Sequence, residues 1–285
     1  MKPNKLIKLT ESPRDAQQGL PYVIAPEKRA AYINALMNVG FDVIDFGSFV
    51  SPKAIPQMAN QDKVLELVEK TGSNSKLMAI VGNIRGGIDA ANQPKVDILG
   101  FPYSTSETFL KKNINSDQKK ALSTIDGLLE ICTASGKTLR IFMSMAYGNP
   151  YKDPWSIQLL ADHIEQLSEK GIQIITLADT IGIASPELIS EVYYTLVQKF
   201  PDHEFGLHIH TRPNEWQEKL EAAWDAGCRW YEGVISGVGG CPMTGYEMVG
   251  NLNTLNLMDF LKKKTGKEIL DPLKMVDVAN LAAEF

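Results

Sequence analysis

The sequence predicts an α/β protein of the (β/α)8 TIM-barrel class, built as one catalytic domain over residues 1–285. Three observations predict it. Short apolar runs alternate with helix-like stretches along the whole chain, and eight such runs can be counted. No Pro/Gly/Ser-rich linker divides the chain. Its 285 residues suit either two ordinary domains or one barrel, since α/β barrels of about 250 residues fold as one unit.

The strand runs are 6–9, 43–46, 76–81, 96–101, 139–145, 172–177, 205–210 and 230–236. They are short and apolar, as strands covered on both faces must be. The first helix opens at Pro26 and ends before Gly40, because proline suits a first helical turn and glycine the position after the last. The next spans 56–70 and is stopped by Gly72; a weak, short one follows at 87–92. Helices over 117–135, 155–170 and 215–226 are stopped by Gly136, Gly171 and Gly227. Ser185-Pro186-Glu187 opens the helix over 186–200 with a cap, a proline start and an acid in the first turn. A last helix covers 253–264. A doubly wound open sheet is the competing fold. It usually carries a Gly-rich phosphate loop after an early strand, and Gly86-Gly87 lacks that spacing.

Hydrophobic residues make up 44% and charged residues 22%, which excludes disorder and collagen-like repeats. The 29 Lys and Arg against 34 Asp and Glu leave a net charge of −5. Such a chain lacks the cationic excess that nucleic acid or an anionic membrane requires. No run of 18 apolar residues is present, so no membrane span is expected. No apolar run of signal-peptide length follows the basic N-terminus. Cys132, Cys228 and Cys241 are odd in number. They argue against a disulfide framework and fit a reducing, cytoplasmic location.

In a barrel the site lies at the C-terminal ends of the strands. His208-Ile209-His210 is the sharpest signal there. Residues two apart in a strand share a side, so both imidazoles can meet one ion; a hydrogen-bonded histidine pair is the plainer reading. Arg14-Asp15 follows the first strand. Elsewhere it would be a surface ion pair; here Asp15 can complete a two-histidine, one-carboxylate set, and Arg14 can only stabilise anionic charge. Cys241 sits in a Gly-rich loop over 237–251, placed for proton transfer or attack, unless it is a small buried hydrophobe. Cys132 and Cys228 read as structural. Asn251 offers a carbonyl oxygen as a fourth ligand or simply caps the next helix. Lys111-Lys112 reads as a solvated helix start or a clamp for an acidic cofactor.

Taken together, Pro13-Arg14-Asp15, Val50-Ser51-Pro52-Lys53, Lys111-Lys112-Asn113-Ile114-Asn115, Asp179-Thr180-Ile181-Gly182, His208-Ile209-His210, Gly239-Gly240-Cys241-Pro242 and Gly250-Asn251 resemble the 3-hydroxy-3-methylglutaryl-CoA lyase family. These segments occur in the family's order over nearly the whole chain. The wider group of barrel metallolyases shares the Arg-Asp, the HxH and the later Asn. The resemblance implies that Asp15, His208, His210 and Asn251 hold Mg²⁺ or Mn²⁺. It implies that Arg14 stabilises an enolate, that Cys241 is a catalytic thiol, and that Asp179 or His208 takes part in proton transfer. Arg14, Asp45, Ser48 and Asn113 would bind substrate; Asp45 stands where the family has a Glu.

The implied reaction is cleavage of 3-hydroxy-3-methylglutaryl-CoA, or a close 3-hydroxyacyl-CoA, to acetyl-CoA and acetoacetate. A small-molecule CoA thioester is thus the expected partner, with no nucleic acid and no membrane, and a homodimer is a compatible assembly. The departures are Thr211-Arg212-Pro213 after the histidines, a longer 243–249 loop, and Asn253, Leu255 and Asn256 in the following segment. They bear on the substrate more than on the metal site. The competing functions are a condensing enzyme using acetyl-CoA and a 2-oxo acid, a lyase for another branched acyl-CoA, and a non-catalytic binding barrel. The brevity after residue 270 counts against the first, and the retained ligands and cysteine against the last.

Overall fold

Strands apolar on both faces need cover on both, and a closed ring of strands inside a ring of helices supplies it. The computed structural model, which describes residues 6–240, 245 and 249–285, has this architecture. Its strands are β1 (Lys8–Glu11), β2 (Val43–Ser48), β3 (Lys76–Ile80), β4 (Ile98–Ser104), β5 (Thr138–Ser144), β6 (Ile174–Asp179), β7 (Glu204–Ile209) and β8 (Trp230–Gly233). They pair in sequence order, every pair parallel, and β1 closes the barrel on β8 with Thr10 opposite Glu232.

The helices are α1 (Pro13–Gln17), α2 (Pro26–Val39), α3 (Gln61–Leu67), α4 (Ile84–Ala91), α5 (Glu107–Ile114), α6 (Gln118–Ser135), α7 (Ile157–Glu169), α8 (Pro186–Lys199), α9 (Trp216–Asp225), α10 (Thr254–Thr265) and α11 (Pro272–Ala282). Most begin on a side-chain cap: Ser106, Asp117, Ser156, Ser185, Asn253 and Asp271 each accept an amide of the first turn. Gly40 ends α2 at φ 107°, where other residues would be strained. The main core lies between barrel and helices, around Leu36, Phe41, Phe101, Ile141 and Leu196. A smaller apolar cluster of Val43, Met78, Ile98, Phe142 and Trp230 lies apart from it.

Some boundaries differ from those expected. The helix over 56–70 is a 3₁₀ turn at Pro56–Met58 followed by α3, because Asn60 adopts φ 58° between them. The strand at 6–9 lies two residues further on, as β1 carries Thr10 and Glu11 into the barrel. β4 runs on through Pro102, which lies beyond its pairing with β3, ended at Gly100, so no ladder bond needs its missing N–H. Helices α1, α5 and α11 were not anticipated as separate elements. Lys111 and Lys112 fall in the last turn of α5, not at a helix start. No helix among the described residues is long and apolar enough to cross a membrane.

Candidate active site

β1 ends at Glu11, and the chain turns at once into α1, a five-residue helix that buries both Arg14 and Asp15 at the barrel mouth. His208 of β7 and His210, one residue past its end, project to the same side, their Nε2 atoms 3.2 Å apart. Asp15, His208 and His210 each offer one ligand atom, and these atoms lie within 4.8 Å of one another. The Nδ1 of His210 lies 2.9 Å from the Val249 carbonyl. A carbonyl only accepts, so Nδ1 carries the hydrogen and Nε2 keeps its lone pair for an ion. The Nδ1 of His208 lies 3.2 Å from Glu232 of β8.

Asn251 reaches the site because its segment pairs with the end of β7: Leu252 N–H donates to Ile209, and Thr211 N–H to Gly250. Its Nδ2 donates to Asp15 at 2.8 Å and to the Val238 carbonyl at 2.9 Å. The cap of α10 is Asn253, whose Oδ1 accepts from Leu255 and Asn256. Asn251 therefore has no capping duty. Gly239, at φ 100°, brings the Gly-rich segment against α1; a Cβ there would stand 2.5 Å from the Asp15 carbonyl oxygen.

Arg14 forks between two carboxylates. Its Nε and Nη2 donate to Asp45 at 3.0 and 2.6 Å, and its Nη1 to Asp15 at 2.8 Å and Gln18 at 3.1 Å. Burial opposes ionisation of Asp15, yet Arg14 and the two histidines overcome it and hold the carboxyl at about 2. Burial dominates at Asp45 despite Arg14 and raises it to about 6. His210 is lowered to about 4 by burial and then by His208. Burial pushes His208 down, but Glu232 together with Asp15 outweighs it and the group is raised.

Arg14, Asp15, Ser48, Asn113, Thr180, His208 and His210 line one cleft, whose remaining wall includes Val50, Ile55, Ile80, Phe109 and Phe142. Asp45 does not line it; the residue is fully buried, in contact with Arg14. Asp179 is not brought to the cluster either. Its oxygens accept the Ile183 and Ala184 amides at 3.0 Å and face Lys219 at 3.7 Å, which ties down the loop carrying Thr180. In this arrangement the Asp179 carboxylate holds that loop and does not line the cleft. Cys241 lies outside the described residues. Cys132 and Cys228 are buried, their thiols raised to about 11 by that burial.

Sequence reasoning missed Glu232 and Arg140, and it gave no role to Glu11, a polar residue after the first strand, or to Gln18. Arg140 and Glu232 were visible as charges inside otherwise apolar strands, and both are completely buried. A buried charge must be paired, so each was a pointer to the barrel interior.

Fold and cleft define a (β/α)8 enzyme whose two histidines and one carboxylate can hold a metal ion beside a fixed arginine. The chain belongs to the HMGL-like family, whose pattern matches residues 6–282, and with it to the carbon–carbon lyases. It is 30% identical over 261 residues to the mitochondrial hydroxymethylglutaryl-CoA lyase of Rattus norvegicus, covering 90% of this chain and 78% of that protein. It is 28% identical to the (R)-citramalyl-CoA lyase of Chloroflexus aurantiacus, covering 87% and 80%. Among solved structures, the Bacillus subtilis HMG-CoA lyase superposes with a TM-score of 0.90 at 28% identity, covering 99% of this chain and 94% of that one.

Proposed function

We propose that this protein cleaves 3-hydroxy-3-methylglutaryl-CoA to acetyl-CoA and acetoacetate with the help of Mg²⁺ or Mn²⁺. The convergence of Asp15, His208 and His210 beside Arg14 at the barrel mouth carries this reading. The donor set fits a divalent ion. It offers two imidazole nitrogens and a carboxylate held ionised; Asn251 meets Asp15 through its amide nitrogen, and its amide would turn over to present the oxygen as a further donor. When bound, the ion would polarise the substrate's C3 hydroxyl and make it more acidic.

The chain's own residues account for the remaining steps. The hydroxyl proton passes to a base, His208 or Asp179, C3 becomes a carbonyl, and the C2–C3 bond breaks with its electrons passing into the thioester enolate. Arg14, locked by Asp45 and Gln18, presents positive charge at the cleft wall where that enolate oxygen forms. Ser48 and Asn113 orient the acyl group against the apolar wall. Cys241 delivers the proton that C2 needs to become the methyl of acetyl-CoA, and the segment over 237–251 acts as a lid that excludes water. The neck of that segment is firm: Val234 N–H donates to Leu252 and Thr254 N–H to Val234, both across its two ends.

A second reading is favoured by the citramalyl-CoA lyase, which is as similar as several hydroxymethylglutaryl-CoA lyases. There the same bond breaks, and the keto product is a 2-oxo acid. Purified protein with Mg²⁺, Mn²⁺ and a thiol reductant should release acetyl-CoA and acetoacetate from hydroxymethylglutaryl-CoA. Acetyl-CoA from citramalyl-CoA alone would move the substrate assignment, and none from either would overturn the lyase reading.

A further inference from the structure

Beside the metal-ligand cluster, the barrel holds a polar layer that the mechanism above does not use. Glu232 is fully buried and splits its oxygens. Oε1 accepts from Arg140 Nη2 and from Thr176 Oγ1, the latter at 3.0 Å; Oε2 faces His208 Nδ1 at 3.2 Å. Arg140 is equally constrained. Its Nε donates to Thr176 at 2.8 Å and its Nη1 to Thr10 at 3.3 Å, while its guanidinium lies 4.1 Å over the Trp230 ring. Thr10 also accepts from Trp230 Nε1 at 2.9 Å. Gly206, two residues before His208, makes the room: a Cβ there would stand 2.8 Å from Arg140 Nη2. Residues from β1, β5, β6, β7 and β8 thus meet around one carboxylate.

We propose that Glu232 is a positioning residue that fixes the tautomer of His208. It holds the hydrogen on Nδ1, so that the Nε2 lone pair faces Asp15 and His210, while Arg140 prevents the carboxylate from turning away. The inference rests on the metal-centre reading given above. The directions of the hydrogen bonds force it. Arginine only donates, so Oε1 is committed to Arg140. Because Thr176 Oγ1 receives Arg140 Nε, its own hydrogen points to Oε1. Among the described residues Oε2 is left with one hydrogen-bond neighbour, and an acceptor can take only an N–H from it. His208 has no second tautomer in this frame, whereas a bare imidazole has two of similar energy.

The Glu232→Gln variant separates this role from simple ion-pair packing. Arg140 and Thr176 still donate to the first position, so the amide oxygen goes there and the amide NH₂ turns to His208. An NH₂ facing Nδ1 demands a lone pair on Nδ1, which moves the hydrogen to Nε2, the ligand atom. Imidazole ¹⁵N spectra of metal-free protein in alkaline buffer should show His208 as Nδ1–H in the wild type and Nε2–H in Glu232→Gln. Mn²⁺ affinity by calorimetry should fall about 10–100-fold in Glu232→Gln. Glu232→Asp, which still only accepts, should bind more tightly than Glu232→Gln despite its lost methylene. A wild-type His208 found as Nε2–H overturns the proposal, and so does unchanged Mn²⁺ affinity in Glu232→Gln. If Glu232→Gln does not fold, the wild-type spectrum and Glu232→Asp decide. A wild type that binds no Mn²⁺ would sink the metal reading, and the spectrum would still report the tautomer.

Discussion

The two ends of the barrel are both rich in charge, and they use it differently. The N-terminal face carries the wider depression, lined by Lys8, Asp42, Lys76, Asp97, Lys137 and Trp230. Its charges hold backbone. Lys137 donates to the Gln93 and Val96 carbonyls, Lys95 to those of Leu65 and Val68, and Asp97 accepts the Leu77 amide. Its ion pairs are part-exposed, as in Lys8–Glu204 and Lys70–Asp97, and such pairs contribute little. At the C-terminal mouth, Arg14, Asp15, Asp45 and the two histidines are buried and hold one another, with three ligand atoms turned to one point. Cavity size therefore does not mark the functional end. Buried charges converging on a common point do, because their desolvation is repaid only by mutual contact or by a ligand.

Removing a ligand atom from the mouth should give the largest effect. His210→Ala deletes one of the three convergent donors but leaves the β7 backbone pairing in place. Mn²⁺ affinity should drop by more than about 100-fold, beyond the loss typical of supporting partners, with turnover falling in step. Lys137→Ala at the opposite face, which removes two bonds to carbonyls, should leave affinity unchanged and lower only thermal stability. Calorimetric titration of both variants checks this, and comparable Mn²⁺ affinities would erase the distinction between the two ends.

Arg14→Met comes next. The cleft loses its fixed positive charge, and turnover should fall about 10²–10³-fold. Asp45 loses both of its arginine donors at a fully buried position. Its carboxyl, already raised to about 6, should rise further, so the variant folds with Asp45 protonated near neutrality. Chemical denaturation should show a loss of up to about 3–5 kcal/mol, the range for breaking a buried pair. A variant with normal stability but no turnover would mean that Arg14 serves the reaction and not the frame.

Much of this layout was legible in the sequence. Apolar runs and glycine stops fixed the barrel, since strand burial and helix ends are local matters of pattern and φ. The HxH spacing gave the histidine pair for the same reason: period two in a strand is local geometry. What stayed hidden depends on contacts across the barrel. That Asp179 faces Lys219 and loop amides follows from which side of β6 it occupies. That Asn253, not Asn251, caps α10 follows from the pairing of 251–253 with β7 and β8. Arg140 and Glu232 lie 92 positions apart, and only ring closure makes them partners.

The smallest effect on metal binding and turnover, and the one that tests the frame of the mouth most directly, concerns Glu11. This buried residue at the end of β1 accepts Ile235 N–H at 2.7 Å and Thr254 Oγ1 at 2.6 Å, so one carboxyl ties both ends of the proposed lid. Burial outweighs those bonds and raises the carboxyl from 4.5 to about 8. Below 4.5 both folded and unfolded chains hold the proton, and the stability contributed by the group is complete. Between 4.5 and about 8 the folded chain keeps a proton that the unfolded chain has lost, so stability falls as pH rises through this window. Tyr32, its titratable neighbour, is pushed up by burial and by Glu11 itself and holds its proton throughout. In Glu11→Gln the amide oxygen can accept from Ile235, and its NH₂ can donate to the Thr254 hydroxyl oxygen, with no proton left to release. Its melting temperature relative to wild type should therefore rise from pH 5 to about pH 8 and then level off, by roughly 2–4 °C for each kcal/mol that wild type loses. A difference that stays flat over that range would mean that Glu11 is ionised in the folded protein, with the neck of the lid held by a charge and not by a proton.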